Sequence, residues 1–176
     1  MKRYHTSEIK SAAEQLRAGD TILLSGTVYT ARDAAHKRLA LMIQNAEPPL
    51  PFALEGGVIY YAGPTPEKPG MVIGSCGPTT SSRMDVYTPM LLDLGLGATI
   101  GKGNRSAEVT EAIVRNHSVY FCAIGGAGAL AARCITSLEV VAFPELGCES
   151  IKKLNFKDFP LITAIDGTGS SIFVKN

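Results

Sequence analysis

Several features that mark common classes of protein are absent or weak in this sequence. The 17 basic and 16 acidic residues leave a net charge of +1, which indicates no surface for nucleic acid or for a membrane. The four cysteines form no CxxC pair and have no histidine at metal-ligand spacing, so we expect buried thiols rather than disulfides or a metal site. Residues 1–16 lack the apolar segment of a signal peptide, and the uncharged residues 119–132 are too short to span a membrane. We therefore expect a soluble, cytoplasmic protein.

What is present is a pattern of strands alternating with helices. With 45% hydrophobic residues in a chain of 176, one domain over residues 1–176 with a sizeable core is expected. Apolar runs predict strands at residues 21–24, 28–30, 58–61, 71–74, 98–101, 119–124, 139–143, 161–165 and 172–174. Helical spacing predicts helices at residues 6–17, 31–45, 84–94 and 107–116, and a small-residue helix that ends at Arg133. This order favours a layered α/β domain with a mixed sheet or two sheets.

Residues 77–85 (GPTTSSRMD) form the most informative stretch. Pro78 fixes its own φ and pushes Gly77 towards extended geometry, so the preceding strand is expected to stop there. The hydroxyl residues 79–82 offer N-caps or ligand contacts, and Arg83 lies at the mouth of the following helix. A helix N-terminus with a guanidinium and hydroxyl groups can bind a carboxylate or a phosphate. An ordinary capped turn with a solvent-facing arginine explains the same residues.

Two further junctions carry basic side chains. Lys102 lies between two glycines, so its side chain can reach a ligand with little steric hindrance. Arg32 and His36 lie in the first turns of helix 31–45, where basic residues oppose the helix macrodipole, whereas Lys37 and Arg38 fit a solvated helix face.

A glycine-rich loop at residues 125–128 resembles a phosphate-binding loop. Tight packing of a helix on a sheet also requires small residues, and we favour that interpretation. The GxGxxG and Walker fingerprints are absent, which argues against a nucleotide site.

Three ordered motifs resemble those of the class I, iron–sulfur-dependent fumarases. Residues 25–36 resemble the SGT…RDxAH motif, residues 77–85 the GPTT…RMD motif, and residues 102–106 the KGNRS motif of that family. Weaker matches at residues 61–64, 124–126 and 144–147 follow in the family's order. The resemblance runs from about Gly19 to the C-terminus and covers only the family's C-terminal or β-subunit region.

The resemblance implies the β subunit of a two-subunit fumarate hydratase, a hydro-lyase that reversibly hydrates fumarate to (S)-malate. It further implies a swivelling β/β/α domain with mixed sheets and layered helices. In that family the [4Fe-4S] cluster is held by cysteines of the N-terminal region or α subunit, so the resemblance implies a hetero-oligomer with a cluster-binding α subunit and no metal ligand in this chain. The shared site would take a small dicarboxylate.

The functional positions carried over from the family are Arg32, Thr79, Arg83 and Lys102. All four are expected to bind substrate, with Thr79, Arg83 and Lys102 also catalytic, and Thr79 implied as the proton carrier. The three cations suit substrate carboxylates whose negative charge grows as the neighbouring proton leaves. His36 is expected to be structural.

Two alternative functions remain open. The first is another dehydratase of the same superfamily, acting on L(+)-tartrate or methylfumarate; the tartrate enzymes share GPTT but differ after Lys-Gly, which favours fumarate. The second is a non-catalytic assembly or carboxylate-binding domain with a swivelling fold.

Overall fold

The computed structural model describes residues 1–47, 49–124 and 128–174, and seven strands in these ranges form one mixed sheet. The strands are β1 (Lys2–His5), β2 (Thr21–Thr30), β3 (Val58–Tyr60), β4 (Ala98–Gly101), β5 (Val119–Ala123), β6 (Ile135–Ala142) and β7 (Ile151–Ile165). The helices are α1 (Ile9–Ala12), α2 (Asp33–Gln44), α3 (Thr88–Asp93), α4 (Ala107–Arg115) and α5 (Gly128–Arg133). Short 3₁₀ segments occupy Thr6–Glu8, Ser81–Met84 and Pro144–Glu149. The predicted mixed α/β class is confirmed.

The strands β2, β3, β4, β5 and β7 close into a ring. The first four pair in parallel in that order, and β7 pairs antiparallel with both β5 and β2. β1 and β6 extend the ring by pairing with β2 and β7, respectively. The sequence left open a mixed sheet or two sheets, and the structure has a single sheet whose main strands have no free edge.

Successive residues of the parallel strands face two different hydrophobic cores. In β3, Val58 and Tyr60 belong to one core, whereas Ile59 belongs to the other, as the two-residue period of a strand requires. The second core contains residues of α2, α3 and α4. A ring of five strands is too narrow to enclose a helix, so these helices lie outside it, and the strand residues of the first core fill its interior.

One predicted break in a strand is absent. Residues 25–27 were expected to separate two short strands, but β2 continues through them with a bulge between Leu24 and Gly26. Gly26 has a φ of +115°, and a Cβ at this position would lie 2.4 Å from Thr6 Oγ1. Glycine is therefore required both by the backbone conformation and by the approach of the N-terminal segment.

Two predicted strands are wrong. Residues 71–74 form no strand, because Met71 and Val72 are about half exposed instead of packing in a sheet. Residues 172–174 follow an isolated bridge between Ile165 and Ser171 and form a turn instead.

Some helices are shorter than predicted, and two strand segments were missed. Residues 6–17 contain only a 3₁₀ turn and α1, and residues 84–94 contain only α3 after another 3₁₀ turn. The missed segments are β1, which is mostly exposed, and the first half of β7, which carries charged residues on its outer face. The predicted small-residue helix is α5, whereas residues 125–127 of the glycine-rich loop lie outside the described residues.

No helix within the described ranges has the length and apolar character needed to cross a bilayer.

Candidate functional site

The C-terminal ends of three neighbouring parallel strands bring three loops together. Arg32 follows β2, Gly63 follows β3 and Lys102 follows β4. In open α/β sheets, ligands commonly bind beyond the carboxyl ends of parallel strands, and the same geometry exists along this part of the ring. The predicted site residues Arg32 and Lys102 thus belong to the same end of the sheet.

The turn at residues 77–85 lies across the ends of β3 and β4. Thr79 N donates to Tyr61 O at 2.7 Å, which fixes the turn to the residue after β3. Ser81 N donates to Lys102 O, and Lys102 N donates to Ser81 Oγ, each at 3.0 Å. The structure therefore places the backbone of Thr79 beside the end of β3, and that of Lys102 against the same turn.

The Arg83 side chain reaches the beginning of α2. Its Nε donates to Asp33 Oδ1 at 3.1 Å, and the side chains of Arg83 and Asp33 are 52% and 37% exposed. Because Asp33 directly follows Arg32, this contact joins two predicted site residues that are 51 positions apart in the sequence. All four predicted residues therefore lie on segments that are hydrogen-bonded or paired around one end of the sheet.

Buried polar atoms without partners cluster at the N-terminus of α2. In the described part of the chain, Arg32 Nε, Asp33 Oδ2 and His36 Nε2 are shielded from solvent and form no hydrogen bond. Such atoms cost free energy, and native proteins usually satisfy them. Three of the four such atoms found in the described residues therefore lie beside Arg32, and the fourth is Thr163 Oγ1.

His36 is buried beneath this junction. Its Nδ1 donates to Arg32 O at 2.8 Å, and its ring packs against the rings of Tyr61 and Tyr87. Burial lowers the pKa of His36 to about 4, so the imidazole is neutral at pH 7. The ring thus supports the backbone that carries Arg32, as the expected structural role of His36 requires.

The 3₁₀ segment Pro144–Glu149 packs against the same junction. Ala34 N donates to Glu149 Oε1 at 3.3 Å, and the carbonyl of Cys148 lies beside Gly63. The Lys152 amine donates to the carbonyls of Gly147, Cys148 and Ser150, and burial lowers its pKa. Lys152 therefore holds this segment in place with backbone acceptors.

Arg105 and Asp85 form a buried ion pair that sequence reasoning did not predict. Arg105 Nε donates to Asp85 Oδ1 at 2.7 Å, and the two side chains are 0% and 13% exposed. The guanidinium also donates to Thr99, Tyr61 and Thr88, while Asp85 Oδ2 accepts from Ser106 N at the start of α4. The pair connects the turn at residues 77–85 with the loop after Lys102. The one sequence feature that could have indicated this pair is that Asp85 and Arg105 each lie within a motif shared with the fumarases.

The side chains of Lys102 and Thr79 take no part in the internal contacts found in the described part of the chain. Lys102 is exposed and Thr79 half-buried, and the hydrogen bonds found for them in the described part of the chain use backbone atoms. The ion pairs among the described residues include neither Lys102 nor Arg32. Lys102 and Arg32 therefore form no ion pair with another described side chain.

The cysteines do not assemble a metal centre in the described part of the chain. Cys76 and Cys122 are buried, Cys134 is half-buried and Cys148 is exposed, and all four are free thiols. Burial raises the pKa of Cys76 to about 12, so this thiol is protonated at pH 7. No group of three or more His, Cys, Asp or Glu residues in the described ranges has a metal-binding arrangement.

Comparison with known proteins places these residues in a family. Residues 2–176 match the family described as fumarase C-terminus. The chain is 41% identical over 169 residues to the aerobic class I fumarate hydratase of Escherichia coli strain K12, covering 94% of this chain and 30% of that protein. It is 38% identical over 170 residues to fumarate hydratase 2 of Leishmania major, covering 96% of this chain and 30% of that protein.

A third relative is similar to this chain over most of its own length. It is a protein of Methanocaldococcus jannaschii provisionally named L(+)-tartrate dehydratase subunit beta, with 38% identity over 170 residues. The match covers 93% of this chain and 87% of that protein, whereas the chain spans 30% of the length of the two fumarate hydratases. By its match over residues 2–176, the chain belongs to the fumarase C-terminal family.

Proposed function

We propose that this chain is the β portion of a class I fumarate hydratase and provides half of a site for the reversible hydration of fumarate to (S)-malate. The observation that carries the proposal is that the segments of Arg32 and Lys102 contact the turn that bears both Thr79 and Arg83. Three cations beside hydroxyl groups suit a small dicarboxylate. The similarity to two fumarate hydratases supports this choice of substrate.

In this proposal, Arg32, Arg83 and Lys102 bind the two carboxylates of the substrate. Removal of a proton next to a carboxylate increases the negative charge on its oxygens in the transition state. Positively charged groups held in fixed positions stabilise that charge more than they stabilise the ground state. The hydrogen bond between Lys102 N and Ser81 Oγ and the contact between Asp33 and Arg83 would hold these groups in place.

Thr79 carries the proton in the proposed reaction. Its backbone is held 2.7 Å from Tyr61 O, so its position at the end of β3 is well defined. A hydroxyl group is a weak base, and nearby cations favour its deprotonated form. Arg83 and Lys102 are the candidates for that effect.

The remaining chemistry is assigned to a partner. The cysteines of this chain do not fit a cluster site, because the described residues contain no group of three or more His, Cys, Asp or Glu side chains that could hold a metal. We assign the [4Fe-4S] cluster of the family to a separate α subunit, where it would act as a Lewis acid on the hydroxyl group. A swivelling movement of this domain against that subunit would close the shared site.

The β subunit of an L(+)-tartrate dehydratase is the second candidate function. It is favoured by one observation, the 38% identity to the Methanocaldococcus jannaschii protein that is provisionally named as such a subunit. Both functions use the same reaction type on a small dicarboxylate, so the cation arrangement does not separate them.

Kinetics of the assembled enzyme test the proposal. The chain is co-expressed with its cluster-bearing partner, purified anaerobically and supplied with fumarate, (S)-malate, L(+)-tartrate or methylfumarate. We expect the highest kcat/KM for fumarate and malate. A preference for tartrate would select the second candidate, and turnover of none of the four by a cluster-loaded complex would contradict both.

A further inference from the structure

Asp33 contacts Arg83 at Nε, and this contact does not use the two Nη atoms of the guanidinium group. The contact joins Arg83 Nε to Asp33 Oδ1 at 3.1 Å. An arginine presents five N–H groups in a planar fork, and a carboxylate can bind the edge formed by the two Nη atoms in a bidentate manner. A carboxylate fixed at Nε orients this fork without occupying its Nη edge.

Stability alone gives a poor explanation of Asp33. An ion pair with side chains 52% and 37% exposed contributes little to the free energy of unfolding. An acidic residue in the first turn of α2 interacts favourably with the helix dipole, but its Oδ2 atom is shielded from solvent without a hydrogen-bond partner in the described residues. The unpaired Oδ2 atom therefore costs free energy. Another acidic or capping residue could stabilise α2 without that cost.

The charge of Asp33 also offsets part of the positive charge at this junction. Asp33 lies between the two arginines, next to Arg32 in sequence and in contact with Arg83, so it reduces the repulsion between them.

We infer that Asp33 is a positioning residue that orients the Arg83 guanidinium for one carboxylate of a dicarboxylate substrate. This inference rests on the proposed function of the same site. Asp33 itself makes no contact with the substrate; it acts by holding Arg83 Nε. The consequence is that Asp33 and Arg83 behave as one unit in substrate binding.

The test is a double-mutant cycle in the assembled, cluster-loaded enzyme. Asp33→Asn keeps the shape of the side chain and removes its charge, and we expect kcat/KM to fall about tenfold, mainly through KM. In an Arg83→Lys background, the same substitution should change kcat/KM by less than about twofold, because the group that Asp33 orients is gone. Asp93→Asn is the matched control: Asp93 pairs with Arg115 at 2.9 Å in an exposed contact at the ends of α3 and α4, and its loss should leave kcat/KM unchanged.

A second readout does not depend on activity. The Nε–H resonance of Arg83 in the full chain, assigned by its disappearance in Arg83→Lys, should be protected from exchange in the wild type and lose that protection in Asp33→Ala, which removes the acceptor oxygen. Protection unchanged in Asp33→Ala, an unchanged kcat/KM in Asp33→Asn, or an equal loss in the wild-type and Arg83→Lys backgrounds would overturn the role of Asp33. Protection lost in Asp33→Ala with a wild-type complex that turns over no dicarboxylate would instead overturn the proposed function and, with it, the substrate role of the pair.

Discussion

Ser81 and Lys102 are joined by two reciprocal hydrogen bonds, in which Ser81 N donates to Lys102 O and Lys102 N donates to Ser81 Oγ, each at 3.0 Å. Tyr120 adds a third contact, because its hydroxyl donates to Ser81 Oγ at 2.8 Å. The turn after Gly77 and the loop after β4 are therefore a single rigid unit. The proposed roles of Thr79 and Lys102 depend on this unit.

Arg83→Lys tests whether a planar guanidinium is needed. Charge is retained, but an ammonium group cannot bind a carboxylate in a bidentate manner, so we expect kcat/KM of the assembled enzyme to fall by roughly two powers of ten. Arg115→Lys is the matched control, since Arg115 is also an arginine in an exposed ion pair. Near wild-type kcat/KM in Arg83→Lys would remove Arg83 from the site.

Gly63→Ala tests the packing around Arg32. A Cβ on residue 63 would lie 3.0 Å from Arg32 Cδ and Nη1 and 3.1 Å from Cys148 O, so Arg32 has to move. We expect KM to rise severalfold with a small loss of stability. Gly167→Ala is the control, because its nearest contacts would be at 3.6 Å, and neither glycine has a positive φ. Equal KM values for the two variants would contradict a substrate role of Arg32.

Asp85→Asn tests the buried ion pair. Removing the charge leaves the fully buried Arg105 without its carboxylate partner, which typically costs about 3–5 kcal/mol in the free energy of unfolding. Urea unfolding of the isolated chain measures this cost. Asp93→Asn, which breaks an exposed ion pair, should lower the free energy of unfolding much less. Similar losses in the two variants would show that the buried pair stabilises the fold no more than the exposed one.

Among the strands, those that pack on both faces were the easiest to predict from the sequence. β3, β4 and β5 are buried along nearly their whole length, so each is encoded by an apolar run that predicts a strand. The exposed strand β1 has no such run, and the apolar residues 71–74 are partly exposed in a loop. Closure of the ring depends on pairing between β2 and β7, which are more than 100 residues apart, and no local pattern encodes that contact.

In the site, too, local motifs could be recognised in the sequence, whereas contacts between distant residues could not. The motifs identified Arg32, Thr79, Arg83 and Lys102 as candidates, and their segments do meet at one end of the sheet. The partners Asp33 and Asp85 could not be assigned, because an acidic residue in a motif looks the same whether it faces solvent or an arginine. Burial of Arg105 was equally unexpected, since arginines are rarely fully buried unless paired.

The stability of the isolated chain should depend on pH through His36. Its pKa is lowered from 6.5 to about 4 by burial, so the unfolded chain binds a proton more readily than the folded chain below pH 6.5. The stabilisation is fully present above pH 6.5 and is lost as the pH falls towards 4. Between pH 7.5 and pH 5 the loss should be about 2 kcal/mol.

Urea unfolding at several pH values checks this dependence. His36→Gln should flatten the change between pH 7.5 and pH 5, whatever its effect on stability at neutral pH. His117→Asn is the control at an exposed histidine, with asparagine chosen because residue 117 has a φ of +49°. A pH profile that His36→Gln leaves as steep as the wild type would show that His36 does not cause it.

We propose that this chain is one half of an active site. It offers three cations and a hydroxyl group at one end of its sheet, and the described residues hold no metal-binding group. The most direct measurement is malate formation from fumarate by the purified chain, by its cluster-loaded α partner, and by the two mixed anaerobically. We predict that neither protein alone forms malate, that the mixture does, and that exposure to air abolishes the activity. Fumarate hydration by the iron-free single chain in air, or binding of fumarate without turnover in the cluster-loaded mixture, would contradict the claim.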